Sequence, residues 1–262
     1  MQYLFAWRYF KSKKSTSAIN IIAWVSVTAI AVGAAALIVI LSVFNGFEDL
    51  VKGLYTDFYA DMRVVPSQGK KMNIDDSTLY TIKSIAGVSE VSKVIEEKAL
   101  LANGDYQSIV VVKGVDTVFP KTNNINKHIV RGSYAIGDLQ NPGIVMGVGI
   151  ENAVGADVTK GGFPLTLYTP NKGAGFEAVD GMFAFNVTGK GVFAVQQEFD
   201  NKYIFSNIDF LRYMLSMTPN QVTGLEIKIN GSPQKIKAAI QNAIGKNFIV
   251  ETRYEQNKNL YA

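Results

Sequence analysis

Residues 21–44 read IIAWVSVTAIAVGAAALIVILSVF, 24 positions without a charged side chain, and this run places the rest of the chain. At about 1.5 Å per residue it makes a helix of roughly 36 Å, enough to cross a hydrocarbon layer of about 30 Å. Thirteen of its residues are Leu, Ile, Val or Phe. At about −0.3 to −0.6 kcal/mol each, they favour insertion by roughly −4 to −8 kcal/mol. A secretory leader has a shorter apolar region, about 7–15 residues, with a small-residue cleavage site after it. Here Ala34, Ala35 and Ala36 sit inside the run. The stretch therefore predicts an uncleaved transmembrane helix over 21–44. Arg8, Lys11, Lys13 and Lys14 precede it with no acid among them, whereas Glu48, Asp49, Asp57 and Asp61 outnumber Lys52 after it. By the positive-inside rule, the amino terminus is expected in the cytoplasm and the rest across the membrane.

After that segment about 215 residues remain, enough for one large domain or two small ones with real cores. The net charge of +4 is partly a membrane-flanking effect and gives no reason to expect a nucleic-acid partner. The sequence has no cysteine, so disulfides and thiolate chemistry are excluded.

Residues 1–20 interleave Tyr3, Phe5, Trp7, Tyr9 and Phe10 with cations, as an interfacial segment on the cytoplasmic side would. Beyond the span, Phe47, Leu50, Val51, Leu54 and Phe58 recur at helical spacing. The helix is thus expected to continue to about residue 58 with one apolar face.

From Asp61 the pattern changes to short strands and helices. DMRVVP reads as a strand closed by Pro66, and Ser77 or Asp76 as the cap of a helix ending at Gly87. Val88 to Ala102 and Tyr106 to Val115 read as a hairpin turning at Asn103-Gly104. Near the end come a helix after Asp209, an alternating strand GLEIKIN, a helix started by Ser232 and Pro233 and stopped at Gly245, and a strand FIVET. Residues 61–130 and 208–252 are expected to form one α+β domain, with 131–207 as an inserted β-rich subdomain. That insertion holds GIVMG, PLTLYTP, MFAFNVTG and KYIFS. If PLTLYTP and MFAFNVTG pair, the polar glycine-rich stretch between them, with the isolated aromatic Phe176, becomes a long hairpin loop. Such a loop is either a functional protrusion or a mobile tip.

Catalytic constellations are missing. There is no G-x-S-x-G, no H-E-x-x-H and no G-x-x-x-x-G-K-[ST], so no catalytic residue, no metal or cofactor site and no ATP hydrolysis is expected of this chain. His128 is the only histidine and reads as a solvated loop residue. Asp75-Asp76 and Glu96-Glu97 read as solvated surface. The GVG at 147–149 lacks dinucleotide-loop spacing and reads as a strand leading into a short helix, ENAVG.

Several pieces follow one another in a telling order: the basic aromatic start, LSVFNGFEDLVKGLY at 41–55, VVKGVD at 111–116 and IVMGVGIENAVGADVTKGG at 144–162. PLTLYTP at 164–170, V-x-G-x-G-V-F at 187–193 and YEQNKNLY at 254–261 complete it. This series resembles the membrane subunits of lipoprotein-releasing ABC transporters, the LolC/LolE family within the wider MacB- and FtsX-like permeases. The resemblance implies four spans, the first followed by a large periplasmic α+β domain with a β-rich insertion. Residues 253–262 would then begin a second span, and the chain would be an amino-terminal half unable to transport alone, in a bacterial inner membrane.

By the same resemblance Phe44 and Phe47, with Leu50 and Val51, lie where a lipoprotein's acyl chains would enter. Burial there contributes about 0.8 kcal/mol per CH₂; ordinary helix packing is the other reading of these residues. The loop with Pro170, Asn171, Lys172, Phe176 and Met182 falls where one family member has a hook that catches a periplasmic lipoprotein carrier, although that hook's proline-rich character is missing here. The implied partners are a cytoplasmic ABC ATPase, a second permease subunit of the same or another kind, the carrier, the lipoprotein and membrane lipid. The resemblance leaves three readings of this chain: the carrier-binding subunit, the lipoprotein-binding subunit, or a single type doing both. A MacB-like efflux or FtsX-like signalling permease, or a single-span anchored periplasmic binding domain, are the alternatives.

Overall fold

The computed structural model describes residues 8, 18–160, 164–170 and 182–256. The chain divides into two units, Met1–Gly53 and Leu54–Ala262. One helix, α1 (Ala18–Phe58), takes in the whole apolar run. Its stretch Ile21–Glu48 is long and apolar enough to cross a membrane, and none of it is buried. A helix of a soluble core would be mostly covered, which this stretch is not. Ser26 and Thr28 donate their hydroxyls back to the carbonyls of Ile22 and Trp24, which satisfies them inside the helix.

The second unit is the mixed α+β domain that the sequence predicts. Its strands are β1 (Met62–Pro66), β2 (Met72–Asn73), β3 (Val88–Asn103), β4 (Tyr106–Val115), β5 (Ile129–Gly132) and β6 (Gly143–Gly147). They continue as β7 (Pro164–Pro170), β8 (Met182–Phe193), β9 (Tyr203–Asn207), β10 (Gln221–Val222), β11 (Gly224–Ile229) and β12 (Phe248–Thr252). The helices are α2 (Asp76–Lys83), α3 (Val148–Ala153), α4 (Gln197–Asp200), α5 (Ile208–Met214), α6 (Pro233–Ile244) and α7 (Arg253–Gln256).

Ten strands form one sheet in the order β12-β1-β11-β3-β4-β9-β6-β8-β5, and β7 pairs both β3 and β8. The circuit β3-β4-β9-β6-β8-β7 therefore closes on itself, which removes the exposed edges those strands would otherwise present. Directly paired residues share a face, and on one face of this circuit the pairs Leu101–Leu167, Leu165–Val187, Val112–Ile204 and Ile204–Met146 are all buried. The long β3 belongs to two neighbourhoods, pairing β11 through Val88–Val94 and β7 through Leu100–Ala102. Residues 131–207, read above as an insertion, supply strands to the same sheet as the segments on either side.

Local details refine the sequence reading. The hairpin turns at Gly104-Asp105, one residue later than expected, with Asn103 opposite Tyr106. Gly104 has φ +58, the sign that a primed two-residue turn requires at its first central position. Asp75, not Ser77 or Asp76, caps α2: its extended backbone lets the carboxylate accept from Thr78 N at 2.9 Å. Ser232 precedes α6 but makes no side-chain cap bond. The short helix α3 starts at Val148 rather than at Glu151. A Cβ on Gly147 would overlap the backbone of Asp200 and one on Gly149 the side chain of Asn201. The two glycines thus serve the close approach of two elements, which explains a GVG without a nucleotide.

Candidate functional site

The last turn of α1 is where the second unit begins. Phe58 is buried and stacks on Phe199 of α4, with ring centroids 3.9 Å apart and an interplanar angle of 2°. Tyr203 and Phe205 of β9 lie 4.8 and 6.0 Å from the same ring. Tyr55, also buried, meets Phe199 edge-on at 5.4 Å and donates its hydroxyl to Glu198 at 3.1 Å. The helical spacing of Tyr55, Phe58 and Tyr59 puts three rings on this cluster, which offset and edge-to-face contacts strengthen beyond area burial.

Polar contacts surround those rings. Asp57 accepts from Asn124 Nδ2 at 2.9 Å and lies 3.1 Å from Nε2 of His128. His128 is therefore not the solvated loop residue the sequence suggested; the turn at 125–128 carries it to the end of α1. Asp61 accepts from Ile229 N at 3.0 Å and pairs with Lys228 at 3.3 Å and with Arg253, which also donates to Thr56 at 3.1 Å. Residues at and just after the end of α1 are thus tied to residues of β11 and α7.

Beside the rings a charged network crosses four strands. Arg63 on β1 bonds Glu96 on β3 at 2.6 Å; Lys113 on β4 lies 3.2 Å from Glu96 and pairs with Glu226 on β11. Lys113 and Glu226 are each 1 % exposed. The register explains the meeting, because Arg63 stands opposite Glu226 and Glu96 opposite Lys113. Lys113 also lies over Phe119 and Phe58, 5.2 and 5.7 Å from their centroids. Burial pushes the Glu96 carboxyl up, but Arg63 and Lys113 outweigh it and hold it down at about 2. Burial likewise works against the Arg63 cation, and Glu96 and Glu226 reverse it. Burial raises the Tyr203 and Tyr59 phenols, so both stay neutral. Glu96, read as solvated, is instead half-buried and doubly paired. Glu226, within the alternating strand GLEIKIN, is enclosed as well.

Of the sequence-predicted acyl-chain residues, Phe44, Phe47 and Leu50 are exposed on α1, at 67, 66 and 62 %. At about 100° per residue they fall within an arc of about 120°, with Asn45 and Glu48 outside it. The side chain of Val51 lies outside the described residues. Of the loop residues, Pro170 ends β7 opposite Met182, the first residue of β8; the side chain of Pro170, and Asn171, Lys172 and Phe176 altogether, lie outside the described residues. The expected pairing of PLTLYTP with MFAFNVTG is present, in register from Pro164–Thr188 to Pro170–Met182. Sequence reading missed the aromatic base of this hairpin. Met182 and Phe183 are about half exposed, and Phe185 sits 6.0 Å from Phe210 and 6.1 Å from the exposed Tyr213. The signal was the two-residue spacing of Phe183 and Phe185, which puts both on one strand face. Among the described residues no group of three or more His, Cys, Asp or Glu is placed to hold a metal ion.

The family of MacB-like periplasmic core domains matches residues 23–243. The chain belongs to this family. Among curated proteins it is similar to "Lipoprotein-releasing system transmembrane protein LolC" of Neisseria meningitidis serogroup B, with 29% identity over 88% of this chain and 54% of that protein. It is also similar to "Lipoprotein-releasing system transmembrane protein LolE" of Haemophilus influenzae, with 24% identity over 87% of this chain and 55% of that one. The chain spans about half the length of these relatives. Among solved structures, the periplasmic region of MacB from Actinobacillus actinomycetemcomitans aligns with a TM-score of 0.51 at 10% identity, covering 76% of this chain and 92% of that one. The extracellular domain of the ABC-type transporter YknZ from Gram-positive bacteria aligns at 0.50 and 9% identity, covering 74% and 99%. These two share the fold of the MacB-like periplasmic core domain described above.

Proposed function

We propose that this chain is the amino-terminal part of a non-catalytic permease subunit of an ABC-type lipoprotein-releasing system in a bacterial inner membrane, its amino terminus cytoplasmic and its main domain periplasmic. The observation that carries this reading is the similarity to LolC over 88% of the chain, which takes in both the apolar helix and the folded domain. ATP hydrolysis belongs to a separate cytoplasmic subunit, and a second permease subunit completes the membrane part. A lipoprotein's acyl chains rest against Phe44, Phe47, Leu50 and Val51, where burial alone holds them. The loop from Pro170 to Met182 contacts the periplasmic carrier. Movement of the span reaches the domain through the last turn of α1, where Phe58 stacks on Phe199. The alternative of a MacB-like efflux permease is favoured by the fold shared with the periplasmic region of MacB.

Reconstitution separates the two. The full-length gene product, its ATPase and an acylated lipoprotein are placed in liposomes, and ATP-dependent transfer to an added carrier is followed. Transfer that needs all components supports the reading. ATP turnover stimulated by small amphiphiles, with no lipoprotein transfer, overturns it in favour of efflux.

A further inference from the structure

Next to the charged network lies an open groove of about 500 Å³. Four cations line it, Arg63, Lys70, Lys98 and Lys202, against two carboxylates, Glu96 and Glu97. Both carboxylates are engaged: Glu96 holds Arg63 and Lys113, and Glu97 lies 3.8 Å from Lys70. Among the described residues Lys98 and Lys202 make no ion pair, and both are exposed. The register brings them to one place, because Lys98 stands opposite Val111 and Val111 opposite Tyr203, the neighbour of Lys202. Two strand spacings, about 10 Å, separate their positions. Lys202 Nζ lies 5.2 Å from the Tyr203 ring, and Val65, Val111 and Tyr203 give the groove an apolar wall. Low-dielectric walls beside unpaired cations concentrate anions.

Two unanswered positive charges call for a ligand group that brings about two negative ones. A carboxylate or a phosphodiester carries one; a phosphate monoester carries about −1.5 to −2 at neutral pH. We propose that this groove binds a phosphate monoester, carried by a small organic phosphate or by a lipid headgroup such as phosphatidic acid. Lys98 and Lys202 grip the phosphate, and the Val111–Tyr203 wall takes the apolar part of the ligand.

The test uses the full chain in phosphatidylcholine nanodiscs at low salt. Glycerol 3-phosphate is titrated by calorimetry, and in parallel a photoactivatable phosphatidic acid is included in the disc and the labelled peptides are identified. Saturable binding of glycerol 3-phosphate, weakened at least tenfold in K98E/K202E and partly in K98Q/K202Q, supports the site with a soluble source. Labelling of peptides containing Lys98 or Lys202, lost in the same variants and without binding of the free ester, supports it with a headgroup source. Both lysines are exposed, so unchanged circular dichroism is expected in each variant. Neither binding nor labelling by the wild type, or binding that K98E/K202E leaves within twofold, overturns the proposal.

Discussion

Phe58, in the last turn of α1, lies flat on Phe199 of the four-residue helix α4, 3.9 Å between centroids. The contact joins residues 141 apart in sequence. It puts a fully enclosed ring at the point where the long helix becomes part of the folded unit. Replacing a buried Phe by Ala typically costs about 3–5 kcal/mol, and Phe58→Ala is expected to cost that much. Denaturant titration of the full chain in mild detergent, read by far-ultraviolet circular dichroism, checks it; a loss below about 1 kcal/mol would mean that the cluster is not a structural anchor.

The buried pair Lys113–Glu226 makes a different prediction. Removing one partner of a buried ion pair strands the other charge, at about 3–5 kcal/mol, whereas an apolar pair of similar volume is often neutral or better. K113M and E226L should each destabilise strongly, and K113M/E226L should recover most of the loss. Additive losses in that double-mutant cycle would show that the two side chains do not depend on each other.

Glu96 gives the network a pH signature. Its folded carboxyl is held at about 2 against an ordinary 4.5. The contribution is therefore fully present above about 4.5 and lost as pH falls towards 2, because the unfolded chain takes up the proton first. A shift of this size corresponds to about 3 kcal/mol. Stability measured between pH 6 and pH 2.5 should fall more steeply in the wild type than in Glu96→Gln, and equal slopes would contradict the pairing.

The strands and helices were legible wherever one face met the core. The Asn-Gly-Asp hairpin, the Ser-Pro start and Gly stop of α6, and the apolar runs of β4, β6 and β9 each carry their own local signal. The second face of the sheet was not legible, because its polar residues look like a wet surface until the rings of Phe58 and Phe119 are placed over Lys113. Glu96, Lys113 and Glu226 lie on three strands, and only the pairing register brings them together. His128 was misread for the same reason, since its partner Asp57 lies 71 positions away. The apolar stripe on α1 was plain in sequence, because Phe44, Phe47 and Leu50 recur at helical spacing.

Residues 171–181, whose lone aromatic is Phe176, connect the paired strands β7 and β8 in sequence. If the loop grips a carrier as a single-aromatic anchor does, an immobilised periplasmic lipoprotein carrier should retain the detergent-solubilised wild type, and Phe176→Ala should cut retention at least tenfold. Retention that survives Phe176→Ala but is lost in a Phe183→Ala, Tyr213→Ala variant would move the contact to the aromatic base of the hairpin.

The central claim, that Phe47 on the exposed stripe of α1 meets the acyl chains of a lipoprotein, is tested most directly by a photoreactive amino acid at position 47. The full-length protein is illuminated in membranes holding either an acylated lipoprotein or the same protein with its lipid-bearing residue replaced. The account predicts a crosslink to the acylated form alone, weakened by Phe44→Ala. Labelling that ignores acylation, or none at all, would contradict it.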